Sequence, residues 1–136
     1  FANVTNVNPF VVIRTNNSTL GGNDAIQANE GDDIVLGGAA DDIIFGNIGE
    51  DIIFGDNGSI SIDRSTNQID RIRSVDPETG GNDVIQGNED DDRIFGGAGS
   101  DQIQGNAGSD IIFGDNGELS YIASQQAREL IIADAP

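Results

Sequence analysis

The residues in this chain that could do chemistry are carboxylates set at a fixed spacing. Asp24, Asp33, Asp42 and Asp51 recur every nine residues, Asp83, Asp92, Asp101 and Asp110 do the same, and each is followed two positions later by Ile or Val. The second series lies 59 residues beyond the first at every member. With no His and no Cys in 136 residues, the chain can offer a metal only oxygen ligands. Carboxylate and carbonyl oxygens select hard cations, calcium above all.

A nine-residue period implies a stacked solenoid. With each aspartate at the sixth of nine positions, the fourth position is Gly22, Gly31, Ala40, Gly49 and Gly58, then Gly81, Asp90, Gly99, Gly108 and Gly117. Glycine there predicts a left-handed backbone or a close approach. The second position is mostly Gly, Asn or Asp, which suit turns. Three residues after each turn, such as Asp33-Ile34-Val35-Leu36, read as a short strand whose middle aliphatic points inward: Ile26, Val35, Ile44, Ile53, Ile85, Ile94, Ile103 and Ile112. Two strands and two turns close a coil of eighteen residues, which places Asp24 below Asp42 and Asp33 below Asp51. Carboxylates a few ångströms apart repel by about 1 kcal/mol in water and more at a protein surface. A divalent ion between successive turns, held by the aspartates and by carbonyls of the glycine-rich turns, converts that repulsion into ligation and makes folding and metal binding one event.

Composition narrows the partners. The formal net charge is −18, and a globular core of this size normally draws on more apolar bulk than six Phe, one Tyr and no Trp or Met. Residues 19–58 hold nine acids and no base, and residues 78–117 hold nine acids and one base, Arg93. Disorder would explain acidity but not a nine-residue register. Lys is absent, which argues against nucleic acid and against anionic membrane surfaces. No apolar run approaches the roughly 20 residues of a membrane span, and no secretory signal is visible.

The tandem pattern closely resembles the Gly-Gly-x-Gly-x-Asp-x-aliphatic-x nonapeptide of RTX (repeats-in-toxin) proteins. The resemblance implies an all-β fold: right-handed parallel β-roll (β-solenoid) blocks with calcium between turns, in secreted or cell-surface bacterial proteins that order outside the cell. Carried over by position, the ligating carboxylates are Asp24, Asp33, Asp42, Asp51, Asp83, Asp92, Asp101 and Asp110, with Asp56 and Asp115 on the closing turns and the fourth-position Gly22, Gly31, Gly49, Gly81, Gly99 and Gly108 as carbonyl donors. Leu20 and Thr79 depart from the motif, so the first turn of each block is expected to bind weakly or form an edge, leaving two or three sites per block.

Five segments follow: a partial insert over 1–18, a roll block over 19–58, a hairpin-like insert over 59–77, a second block over 78–117, and the start of another insert over 118–136. Because Ile13-Arg14 returns as Ile72-Arg73 and Gly55–Gly58 as Gly114–Gly117, the chain reads as a piece of a longer 59-residue tandem array. Ser59–Ile62 and Ile69–Arg73 read as strands around a turn at Arg64–Asn67, and Gln125–Leu130 has a helix-tolerant composition. Strands apolar on both faces, such as Ile52-Ile53-Phe54 and Ile111-Ile112-Phe113, predict that the inserts fold over one sheet as a lid. Arg14, Arg71 and Arg73 are read as charge balance, with a ligand-binding row as the alternative. The function expected is a calcium-binding structural repeat whose partners are calcium and neighbouring repeats of the same chain. The alternatives are an adhesin-type module facing a glycan, mineral or cell surface, and secretion-assisting repeats beside a toxin or enzyme domain. No nucleophile or base stands out, since every turn offers the same carboxylates, so catalysis is not expected here.

Overall fold

The computed structural model describes residues 10–123 and 128–134. Every regular element among them is a strand. In the first block β2 (Ala25–Glu30) and β3 (Ile34–Leu36) make one coil, and β4 (Ile43–Ile48) and β5 (Ile52–Phe54) make the next. The second block repeats this with β8 (Val84–Glu89) and β9 (Arg93–Phe95), then β10 (Gln102–Ala107) and β11 (Ile111–Phe113). Consecutive strands alternate between two parallel four-stranded sheets, ordered β10-β8-β4-β2 and β11-β9-β5-β3.

The two blocks are not separate bodies. β4 pairs with β8 in register, Ile44 opposite Ile85, and β5 pairs with β9, Ile53 opposite Ile94. The four coils therefore form one continuous stack, and the intervening insert leaves and returns without shifting the register. Its exit and re-entry are tied together: the Val75 N–H donates to the Asn57 carbonyl at 3.0 Å, and the buried Asn57 donates through Nδ2 to the Thr79 carbonyl at 3.2 Å.

The insert forms the predicted hairpin, β6 (Gly58–Asp63) and β7 (Gln68–Ser74). Asp63 Oδ1 accepts from the Ser65 N–H and hydroxyl, and Asn67 closes the loop with φ of 56°. With β1 (Phe10–Arg14), β12 (Gly117–Ala123) and β13 (Arg128–Asp134) the hairpin builds a third, antiparallel sheet in the order β1-β6-β7-β12-β13. Arg128–Leu130 lie in a strand, whereas Gln125–Ala127 lie outside the described residues.

Two apolar layers result. Inside the coils Val35, Ile44, Ile53, Ile85 and Ile94 are buried, flanked by Ile26, Ala28 and Ile103. The last inward position, Ile112, is 45 % exposed at the open end of the stack. Between the β11-β9-β5-β3 sheet and the antiparallel sheet, Ile52, Phe54, Phe95 and Phe113 meet Ile60, Ile72 and Leu119. The lid expected from the outward Phe residues is thus present, with Phe54 and Phe113 buried beneath it. Their rings form a stack with Phe95 at the centre, each pair of centroids 4.9 Å apart and inclined by only 18° and 9°. On the opposite sheet Gln102 and Gln104 face water, while Gln86 is half-buried.

Among the described residues Phe95 alone stacks on a ring on both sides. Phe95→Ala should cost about 3–5 kcal/mol, read as a lower denaturant midpoint with calcium saturating. A loss below about 1 kcal/mol would mean that the lid is not packed on the β11-β9-β5-β3 sheet in solution.

Candidate metal centre

Every sixth-position aspartate stands where a turn delivers the chain into a strand, and the coils stack these positions into two columns. In one, the Asp24 N–H donates to Asp42 Oδ1 at 2.8 Å, Asp42 N–H to Asp83 Oδ1 at 2.8 Å, and Asp83 N–H to Asp101 Oδ1 at 2.9 Å. In the other, Asp33 N–H donates to Asp51 Oδ1, Asp51 N–H to Asp92 Oδ1, and Asp92 N–H to Asp110 Oδ1, at 2.9, 2.9 and 3.0 Å. Partners are 18 residues apart within a block and 41 apart across the insert, yet the bond is the same.

One oxygen of each carboxylate is therefore satisfied, and the other is not. Oδ2 of Asp33, Asp42, Asp51, Asp83, Asp92 and Asp101 is buried and accepts no hydrogen bond. Facing five of the six across the turn is a first-position glycine; Asp33 has Ala28 at that position instead. A Cβ on Gly37, Gly46, Gly55, Gly87 or Gly96 would overlap both the Oδ2 of Asp42, Asp51, Asp83, Asp92 or Asp101, respectively, and the carbonyl of the corresponding glycine one coil on. Bare backbone thus leaves these five orphan oxygens beside a main-chain carbonyl with no side chain between them. Among the described residues no three acidic side chains converge on a point, so an ion here would draw on one or two carboxylates and complete its shell with such carbonyls.

Burying an anionic oxygen without a partner is costly, and the titration of these groups registers it. Burial pushes the Asp83 carboxyl up to about 7 against the lowering pull of the Asp42 N–H, with the charges of Asp56, Asp101 and Asp42 adding to the rise. Burial likewise raises Asp92 and Asp56 to about 6. Asp42, Asp51 and Asp101 are raised by the same cause.

A family profile described as the RTX calcium-binding nonapeptide repeat matches residues 27–59, 79–103 and 87–118, in four copies. Those ranges take in more than half of the chain. The chain belongs to this RTX family. No curated protein and no solved structure matches it. The two blocks are accordingly RTX calcium-binding repeats, and their orphan oxygens, carbonyls and uncovered glycines fit a hard divalent cation.

The RTX aspartates named from sequence do not all stand alike. Asp24 is exposed at the open edge and Asp110 is half-buried at the other end, whereas Asp83 lies in mid-column and is almost fully buried. The first turn of the second block is therefore not an edge, because it stacks directly on the first block. Asp56 is drawn out of the columns: its Oδ1 accepts from Gly81 N–H at 2.8 Å and its Oδ2 from Ala98 N–H at 2.6 Å, which seals the turn that the insert interrupts. Asp115 is exposed. Of the fourth-position glycines, Gly31, Gly49, Gly99 and Gly108 are left-handed, with φ between 113° and 133°. Ala40 and Asp90 adopt the same conformation at 88° and 76° in spite of their side chains. Gly22 and Gly81, which open the blocks, do not. The carbonyls of Gly31, Ala40, Gly81 and Asp90 each abut the fourth-position glycine of the next coil.

Two sets of residues escape a reading centred on positions four and six. The first-position glycines are one, although Gly fills seven of those ten places and the bias was there to be counted. The other is a ladder at the fifth position. Asn23 Oδ1 accepts from Asp41 N–H, Asp32 from Glu50, Asp41 from Asn82, Asn82 from Ser100 and Asp91 from Ser109, at 2.7–3.3 Å. It runs opposite in sense to the sixth-position ladder, with the later coil donating.

Gly87→Ala would drive a methyl group against Asp92 Oδ2. The variant should lose calcium affinity by an order of magnitude or more in isothermal titration, while Gly114→Ala, whose Cβ meets nothing, should retain it; equal affinities would remove the cradle from the site. The raised carboxyls also set a pH dependence. Their folded-state values lie above the roughly 3.9 of an unfolded aspartate, so the calcium-free fold holds more protons than the unfolded chain and loses stability as pH rises from about 4 through 7. In chelator, circular dichroism should show the fold strongest near the bottom of that window, and the calcium midpoint should fall as pH rises through it. A chelated chain as well folded at pH 8 as at pH 4.5 would contradict this.

Proposed function

We propose that this chain is a calcium-gated structural module of a larger secreted or cell-surface protein. It is a right-handed parallel β-roll whose coils order when calcium enters the turns and whose lid braces the ordered coils. Six buried Oδ2 atoms without a partner carry the reading. Left ionised and bare, they oppose the stack at neutral pH; ligated, they hold successive coils together. Weak extracellular calcium modules bind at roughly 10⁻⁴–10⁻³ M, a range in which calcium outside a cell saturates the module while calcium inside leaves it unordered. The columns engage every turn alike, which favours structure over a catalytic centre. Neighbouring repeats are the natural protein partner, because a further coil stacked on β11 would cover Ile112, 45 % exposed at that end.

Far-UV circular dichroism during a calcium titration, with magnesium as control, tests the reading. A cooperative coil-to-β transition with calcium alone is the expected result. A chain already folded in chelator at neutral pH, or one that magnesium folds equally well, would remove the gating role.

A further inference from the structure

Three of the chain's six basic residues meet on the outer face of the antiparallel sheet. Arg14 of β1 stands opposite Ser59 of β6, and Ser59 opposite Arg73 of β7; in the neighbouring row Val12 stands opposite Ser61, and Ser61 opposite Arg71. Residues two apart on a strand share a face. Ile72, between the two β7 arginines, is fully buried on the other face against the roll, so all the arginine stems leave the same surface. They line a cleft of about 250 Å³ with Val12, Ser59 and Ser61. Strands about 4.8 Å apart put the Arg14 and Arg73 backbones roughly 10 Å apart across Ser59, a span that two long side chains can close on one group.

Charge balance, the simpler reading of these arginines, accounts for Arg71 but not for Arg14 and Arg73. Arg71 pairs with Glu118 at 3.4 Å, and the Ser61 hydroxyl is engaged by Asp70 at 3.2 Å. Arg14 and Arg73 make no ion pair among the described residues, in a chain with a net charge of −18. The cluster as a whole does not follow the repeat. Arg14 returns as Arg73, but fifty-nine residues on Ser59 becomes Glu118, Arg71 becomes Leu130 and Arg73 becomes Ile132, so the arrangement of two arginines flanking a serine is made once among the described strands.

We propose that this cleft binds an oxyanion, a sulfate or carboxylate group presented by an external ligand. Guanidinium forks of Arg14 and Arg73 grip it from two sides, the Ser59 hydroxyl donates from below, and Arg71 closes one end. Guanidinium matches the oxygen geometry of either group in a bidentate manner. The strongly acidic surface around the cleft repels a densely charged polymer such as nucleic acid, so the ligand carries isolated charges.

The test uses the calcium-loaded chain, titrated separately with methyl sulfate and with acetate, and reads backbone amide and arginine Nε–H signals by nuclear magnetic resonance. Saturable shifts confined to Arg14, Ser59, Arg71 and Arg73 are expected. Saturation by methyl sulfate alone marks a sulfate ester as the group, and by acetate alone a carboxylate. R14Q and R73Q should each weaken binding about tenfold or more, whereas R64Q, on the exposed hairpin loop, should not. Absence of shifts with both anions, or undiminished shifts in the R14Q/R73Q double variant, would overturn the proposal. Amide signals of the coils report calcium loading independently, so a failed oxyanion site and a failed calcium site give different spectra.

Discussion

Half-satisfied carboxylates are the constraint on which the rest of this structure depends. Each interior sixth-position aspartate spends one oxygen on the main chain of the adjacent coil and buries the other with nothing to accept. The satisfied oxygen fixes the register of stacking, since a coil displaced by one residue would lose the bond at every turn. The unsatisfied oxygen dictates what faces it. At Gly37, Gly46, Gly55, Gly87 and Gly96 a Cβ would close the space beside Oδ2, so glycine gives room there, and at Gly31, Gly49, Gly99 and Gly108 it suits a left-handed backbone. Composition, turn geometry and ion dependence descend from the same pair of oxygens.

Polar and apolar order are kept apart in this design. Along the turns the interactions are carboxylate, amide and carbonyl; along the strands they are aliphatic rows inside the coils and an aromatic row beneath the lid. Three-residue strands such as β3, β5, β9 and β11 offer little surface alone. Covering their outer face with the insert gives that sheet a second apolar interface, which compensates for the small inward residues that a narrow coil can hold. The insert is thus part of the core, although in sequence it looks like an interruption.

Much of this was legible in the sequence, and the parts that were not share a cause. A period of nine, an aliphatic at a fixed offset and glycine in the turns are local signals, and they located the strands, the aspartate columns and the inward residues from Ile26 to Ile103. The hairpin around Asn67 and the lid over Phe54 and Phe113 followed from alternation and from apolar residues on both faces. What sequence did not disclose is where a chain returns after it leaves. Asp42 bonds to Asp83 across 41 residues as readily as Asp24 bonds to Asp42 across 18, and nothing local to Asp83 marks it as interior. The diversion of Asp56 to Gly81 and Ala98 is likewise a product of long-range return. The fifth-position ladder stayed hidden because Asn, Asp, Glu and Ser share it, so no single residue type announces it.

The lid and the parallel sheet beneath it also keep the same measure. From β5 to β11 the parallel sheet advances by two strands, with ring spacings of 4.9 Å at each step. From β6 to β12 the antiparallel sheet advances by two strands, each at the common spacing of about 4.8 Å. The two layers are therefore commensurate, like a film grown on a crystal of matching lattice constant. Their contact accumulates no misfit as it lengthens, and neither layer has to curl or slip to stay in step with the other.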